Sequence, residues 1–129
     1  MLAGSQLERD ALRGTLKGAC DAQKQEIDLG LIVLLMRRIV ERWRPEQIWL
    51  FGSRARGVAT TASDWDLLVV APDDLDDDFD PVEAWQLQKG SGVRADVLLC
   101  QLKDFRSDLG TPNTIAYAVA MEGVLLYER

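Results

Sequence analysis

Residues 48–71 read IWLFGSRARGVATTASDWDLLVVA: two short apolar runs either side of a polar connector. Ile48-Trp49-Leu50-Phe51 is stopped by Gly52, as expected of a buried strand, and Asp66 to Ala71 repeats that signature. The connector is rich in Ala, Thr and Ser, and Arg54 to Gly57 has the length of a single helical turn. A sharp strand-turn-strand unit is therefore the centre of the fold.

Outward from it, helical and extended patterns alternate. Downstream, Asp80-Pro81 is a helix cap followed by proline at the first helical position, and Val82 to Lys89 form a helix closed by Gly90 and Gly92. Arg94 to Cys100, RADVLLC, is a third strand. Pro112 opens NTIAYAVAMEG, a helix with a glycine stop, and Val124 to Tyr127 is a short last strand. Upstream, Ile27, Leu31, Leu34, Leu35, Ile39 and Trp43 share one helical face, and that helix ends before Pro45. Leu7, Ala11, Leu12, Leu16 and Ala19 predict an earlier amphipathic helix over 5–24, begun at Ser5 and weakened by Gly14 and Gly18. The fold class is α/β (α+β), a small mixed β-sheet packed with helices. At 129 residues the chain is expected to form one domain, with N-terminal helices in 1–45 and a core in 46–129.

Composition, 47% hydrophobic and 28% charged, is that of a soluble globular protein. The net charge of −6 is local: PDDLDDDFD at 72–80 holds six aspartates, and the remainder has 15 acids against 15 bases. Such a balanced body has no broad basic stripe, so extended nucleic-acid binding is not expected. The aspartate run lacks the ligand periodicity and terminal glutamate of a calcium loop and reads as solvated. Cys20 and Cys100 suggest neither a zinc site nor a disulfide framework. Charges break up the first 30 residues, and the apolar run Leu29 to Met36 is too short to span a bilayer. A cytoplasmic location without membrane contact is expected.

The chemistry lies at the ends of the central strands. Ten residues separate Gly52-Ser53 from Asp64-Trp65-Asp66. A glycine directly after a strand permits a sharp turn and close approach of a phosphate, while Ser53 adds a hydroxyl to exposed backbone N–H groups. Asp64 and Asp66, two apart, share one face of a strand while Trp65 points away. Adjacent carboxylates repel unless a cation lies between them. With no histidine and no cysteine pair, an oxygen-only site favours Mg2+ or Mn2+. Asp96, inside RADVLL, would be costly to bury unpaired; beside the strand of Asp66 it completes a triad, and otherwise it faces solvent or pairs with Arg94. Arg54 and Arg56 flank the turn and either pair with phosphate oxygens or bridge to the acidic run. Trp43, Trp49, Trp65 and Trp85 read as core or partner-contact residues. Ser53 has no histidine to activate it as a nucleophile, and neither a GK[ST] phosphate loop nor the Rossmann glycine pattern is present.

GSRARGVATTASDWDLLVV resembles the signature of the minimal nucleotidyltransferases of the polymerase-beta-like superfamily. The motif spans 15 residues, and the wider strand pattern through EGVLLYE covers about two thirds of the chain. By this resemblance Gly52 and Ser53 bind a triphosphate, Asp64 and Asp66 bind magnesium, and Asp96 assists. Further resemblance is to the antitoxin members of the family, which pair with a HEPN-type toxin ribonuclease and nucleotidylate it; this implies an NTP, with ATP first, and a toxin protein as partners. The chain has little length for the extra helical domain of the aminoglycoside-modifying relatives. Two other functions stay open at this level: an antitoxin-like module that neutralises its partner by contact alone, and addition of nucleotides to a nucleic-acid end, which would want a basic groove. Whether the chain forms an oligomer is also open.

Overall fold

The computed structural model of the chain describes residues 15–16, 19–74 and 80–129. Its elements are β1 (Thr15–Leu16), α1 (Val33–Trp43), β2 (Gln47–Phe51), α2 (Gly52–Arg56), β3 (Trp65–Ala71), α3 (Pro81–Gln88), β4 (Ala95–Gln101), α4 (Leu102–Asp108), α5 (Ile115–Glu122) and β5 (Val124–Glu128). The strands form one five-stranded sheet in the order β1-β5-β2-β3-β4. All pairings are antiparallel except β3 with β4, which are parallel and joined through α3. The sheet is therefore mixed, as the sequence predicts.

Period-two alternation divides the strands between two cores. On one face Ile48, Leu50, Trp65, Leu67, Val69 and Val97 meet Leu35, Met36, Ile39 and Trp43 of α1 and Ala84 of α3. On the other, Leu68 and Val70 pack with Phe105 of α4 and Ala116 and Val119 of α5. Full burial of a side chain such as Leu35 or Ile39 stabilises the fold by roughly 1.5–3 kcal/mol relative to exposure. These two layers bury β3, between β2 and the edge strand β4, along all of its length except Asp66, and its first residues emerge at the site described below.

Helix boundaries follow local chemistry. Asp80 caps α3 by accepting from Val82 N at 2.9 Å, with Pro81 at the first position. Arg44 takes a left-handed conformation and ends α1 before Pro45. Gly123 ends α5 for a steric reason: a Cβ there would overlap the Val119 carbonyl and lie 3.1 Å from the Leu50 carbonyl, so the chain turns into β5 only with glycine.

The N-terminal third departs from expectation. Within the helix predicted over 5–24, Thr15–Leu16 is a strand paired with Glu128 and Tyr127, and Cys20 bridges Glu26 around a turn at Asp21–Lys24. Asp21 Oδ1 holds that turn by accepting from the amides of Gln23 and Gln25 at 2.8 and 3.1 Å. An open ladder on β5 and an aspartate-capped turn outweigh the helical spacing in these residues. The rest of that predicted helix, 5–14 and 17–18, lies outside the described residues. The helix predicted from Ile27 starts later: Asp28 caps a 3-10 turn over Leu29–Leu31, and α1 begins only at Val33. The sequence reading also assigned no helix to 102–108, where α4 stands.

Candidate active site

The turn after β2 is tight because Gly52 adopts φ +74 and opens α2 directly from the strand. A Cβ at this position would overlap the Asp66 carboxylate, so the absent side chain is what lets the bend lie against that aspartate. Phe51, the residue before the bend, is the antiparallel partner of Asp66. Ser53 follows in the first turn of α2, where backbone N–H groups have no acceptor within the helix, and its hydroxyl has no hydrogen-bond partner among the described residues. Bend and carboxylate thus face one another.

On its other side Asp66 is in parallel register with Asp96, so the two carboxylates leave the same face of neighbouring strands about 5 Å apart at the backbone. Asp64 stands two residues earlier at the mouth of β3. The electrostatics reflect this crowding. Burial pushes the Asp66 carboxyl above the usual carboxylate value, the charges of Asp96 and Asp64 push it further, and the Arg56 guanidinium opposes them. Arg56 itself is exposed and makes no ion pair among the described residues, which leaves its charge available beside the bend.

Asp96 lies beside the strand of Asp66 and is exposed on the edge strand β4. The two arginines differ from the alternatives weighed on the sequence. Arg94 does not pair with Asp96 but reaches Asp64, with Nε 3.4 Å from Oδ1. Arg54 makes no ion pair with a described carboxylate: its guanidinium lies 4.3 Å from the centre of the buried Trp65 ring and donates to the Ser63 carbonyl at 2.8 Å. This arginine fastens the connector 57–64 onto the sheet. Trp65 and Trp43 are core residues, whereas Trp85 is exposed.

Two positioning residues escaped the sequence reading. Gln88, at the end of α3, donates to the Ala95 carbonyl and accepts from the Ala95 amide, both at 2.8 Å. Its side chain thereby pairs with the backbone of β4 one residue before Asp96. Arg94 is the second, and only its two-residue spacing from Asp96 hinted at a role.

The donor set is chemically suited to a hard cation: three carboxylates on neighbouring strand ends, with no histidine in the sequence to offer a softer nitrogen. Among the described residues, however, no three acidic, histidine or cysteine side chains close into a ready metal-holding group.

The nucleotidyltransferase-domain family matches residues 34–119, more than half of the chain and including the bend and all three aspartates. The chain belongs to this family. Among solved structures it is similar to a chain of a toxin–antitoxin complex crystallised with AMP-PNP, at 23% identity and a TM-score of 0.55, over 80% of this chain and 75% of that one. That likeness is one of fold, and it agrees with the polymerase-beta-like architecture expected for a minimal nucleotidyltransferase. Among curated proteins there is no match. No helix among the described residues of this nucleotidyltransferase domain is long and apolar enough to cross a membrane.

Proposed function

We propose that the protein transfers a nucleoside monophosphate, AMP first, from an NTP to an acceptor hydroxyl. The observation that carries this reading is the contact of the Gly52 bend with Asp66, itself in register with Asp96. A polyphosphate seated at the bend lies within reach of the first-turn amides of α2, the Ser53 hydroxyl and the Arg56 guanidinium. Asp64, Asp66 and Asp96 would hold Mg2+ or Mn2+, which when bound supplies charge compensation for the triphosphate and its leaving group. Asp96, exposed on the edge strand, is suited to orient an incoming hydroxyl and accept its proton. Most of the rate enhancement then comes from position and charge.

The acceptor is proposed to be a hydroxyl on a partner protein, of HEPN-type toxin class. Support comes from the toxin–antitoxin neighbour and from the family resemblance of the motif. Labelled ATP with Mg2+ and the product of the adjacent gene is expected to yield a labelled partner with the wild type and none with the Asp64→Asn, Asp66→Asn double variant. If that double variant still neutralises its partner in full, contact alone is the function and transfer is not.

A further inference from the structure

Arg94 stands two residues before Asp96 and reaches across to the mouth of the neighbouring strand. Its Nε is 3.4 Å from Asp64 Oδ1, and its Nη2 donates to the Ala62 carbonyl at 3.1 Å. Asp64 is thus engaged by a protein cation while Asp66 and Asp96 face each other in register, and no three-ligand group is closed among the described residues.

We propose that Arg94 is a positioning residue that occupies the counter-ion's place at Asp64 and yields it when a divalent cation binds, so that the carboxylate triad is completed only in the loaded protein. The inference rests on the reading of the triad given above. Three features support it. The pair is weak enough to exchange: the Arg94 and Asp64 side chains are 76% and 54% exposed, and exposed ion pairs contribute little. A dication on Asp64 and the Arg94 guanidinium would be like charges only a few ångströms apart, so binding of the one weakens the hold of the other. The displaced side chain also has space beside it: Arg94 lines a cavity of about 380 Å³ together with Leu31, Arg54, Ser63, Trp65 and Val93, a space far larger than a guanidinium group.

Mn2+ binding, followed by the loss of its free-ion paramagnetic resonance signal, tests the exchange on the wild type, Arg94→Gln and Asp66→Asn. Arg94→Gln is expected to bind Mn2+ about two- to fivefold more tightly, the range set by the strength of an exposed pair. Asp66→Asn should lose binding. Side-chain NMR separates direct contact from a general field effect. The Arg94 Hε–Nε signal, assigned by its loss in Arg94→Lys, should move during a Mg2+ titration with the same midpoint as the Asp66 amide. Unchanged or weaker Mn2+ binding by Arg94→Gln, or an Nε signal that stays still while the Asp66 amide moves, overturns the role of Arg94 and leaves the triad intact. Absence of Mn2+ binding by the wild type, or equal binding by Asp66→Asn, overturns the metal-holding triad itself and this inference with it.

Discussion

At the scale of single residues, Asp66 is held in an environment that disfavours its own charge. Burial and two neighbouring carboxylates raise its pKa above the ordinary 3.8, with only Arg56 opposing. The native state therefore binds this proton more tightly than the unfolded chain does. Stability derived from the group is fully present below the unfolded value and is lost as pH rises through the folded one, so at neutral pH the ionised side chain weighs against folding. Asp66→Asn, which cannot ionise, is accordingly expected to raise the melting temperature in EDTA at about pH 7, and the gain should vanish below roughly pH 4. Thermal denaturation across that range checks the sign; a lower melting temperature for Asp66→Asn at neutral pH would mean that the carboxylate is already compensated by the protein. Gly52, Ser53, Asp64 and Asp66 could be selected from the sequence because their relations are local: a glycine ends an apolar run, and two acids share a strand face by period. The partners of Asp64 and Arg54 could not, since Arg94 stands 30 residues away, just before β4, and Trp65 turns inward only once the sheet forms.

At the scale of elements, the patterns that carried through were those with their own punctuation. α3 has its aspartate cap and proline, α5 its glycine stop, and β3 its uninterrupted apolar run. α4 has none of these: the Gln101 side chain makes no capping bond to the helix, and Phe105 is its only buried residue. Its N-terminal amide at Lys103 is instead satisfied by Asp73 Oδ1 at 2.8 Å, a capping acid 30 residues away that no local window contains. β1 was hidden in the same way, since two residues become a strand only by adding to β5. Gln88 is the clearest element-scale determinant of the site, because it closes the backbone of the edge strand β4 next to Asp96. Gln88→Ala is expected to cost about 1–3 kcal/mol, the penalty for part-buried hydrogen-bonding groups left unmade. Urea denaturation measures that loss, and kcat should fall more than KM rises, since the change loosens the strand carrying Asp96 and leaves the bend untouched. An unaltered kcat in Gln88→Ala would show that β4 holds its register without the side chain.

At the scale of the whole molecule, the candidate site is distributed over the ends of β2, β3 and β4 and not confined to one loop. A ligand that bridges the Gly52 bend and the carboxylates ties together strands contributed by residues 47–101, so its binding energy must appear in global unfolding. For a ligand at a hundredfold excess over its Kd this linkage amounts to about 2.7 kcal/mol, which for a domain of this length raises the melting temperature by roughly 8–15 °C. ATP or a non-hydrolysable analogue with Mg2+ is expected to give a shift of that order in the wild type and none in the Asp64→Asn, Asp66→Asn double variant. The nucleotide without metal should give much less, because the bend lies against a raised carboxylate and two further negative charges that repel a triphosphate. A contact-only module of the same fold predicts the opposite pattern: its partner alone would raise the melting temperature, no NTP and metal combination would do so, and the double variant would behave as wild type. Calorimetry of the wild type and the double variant, with nucleotide and metal, with nucleotide alone and with the partner, therefore separates a nucleotide-using transferase from a retained scaffold.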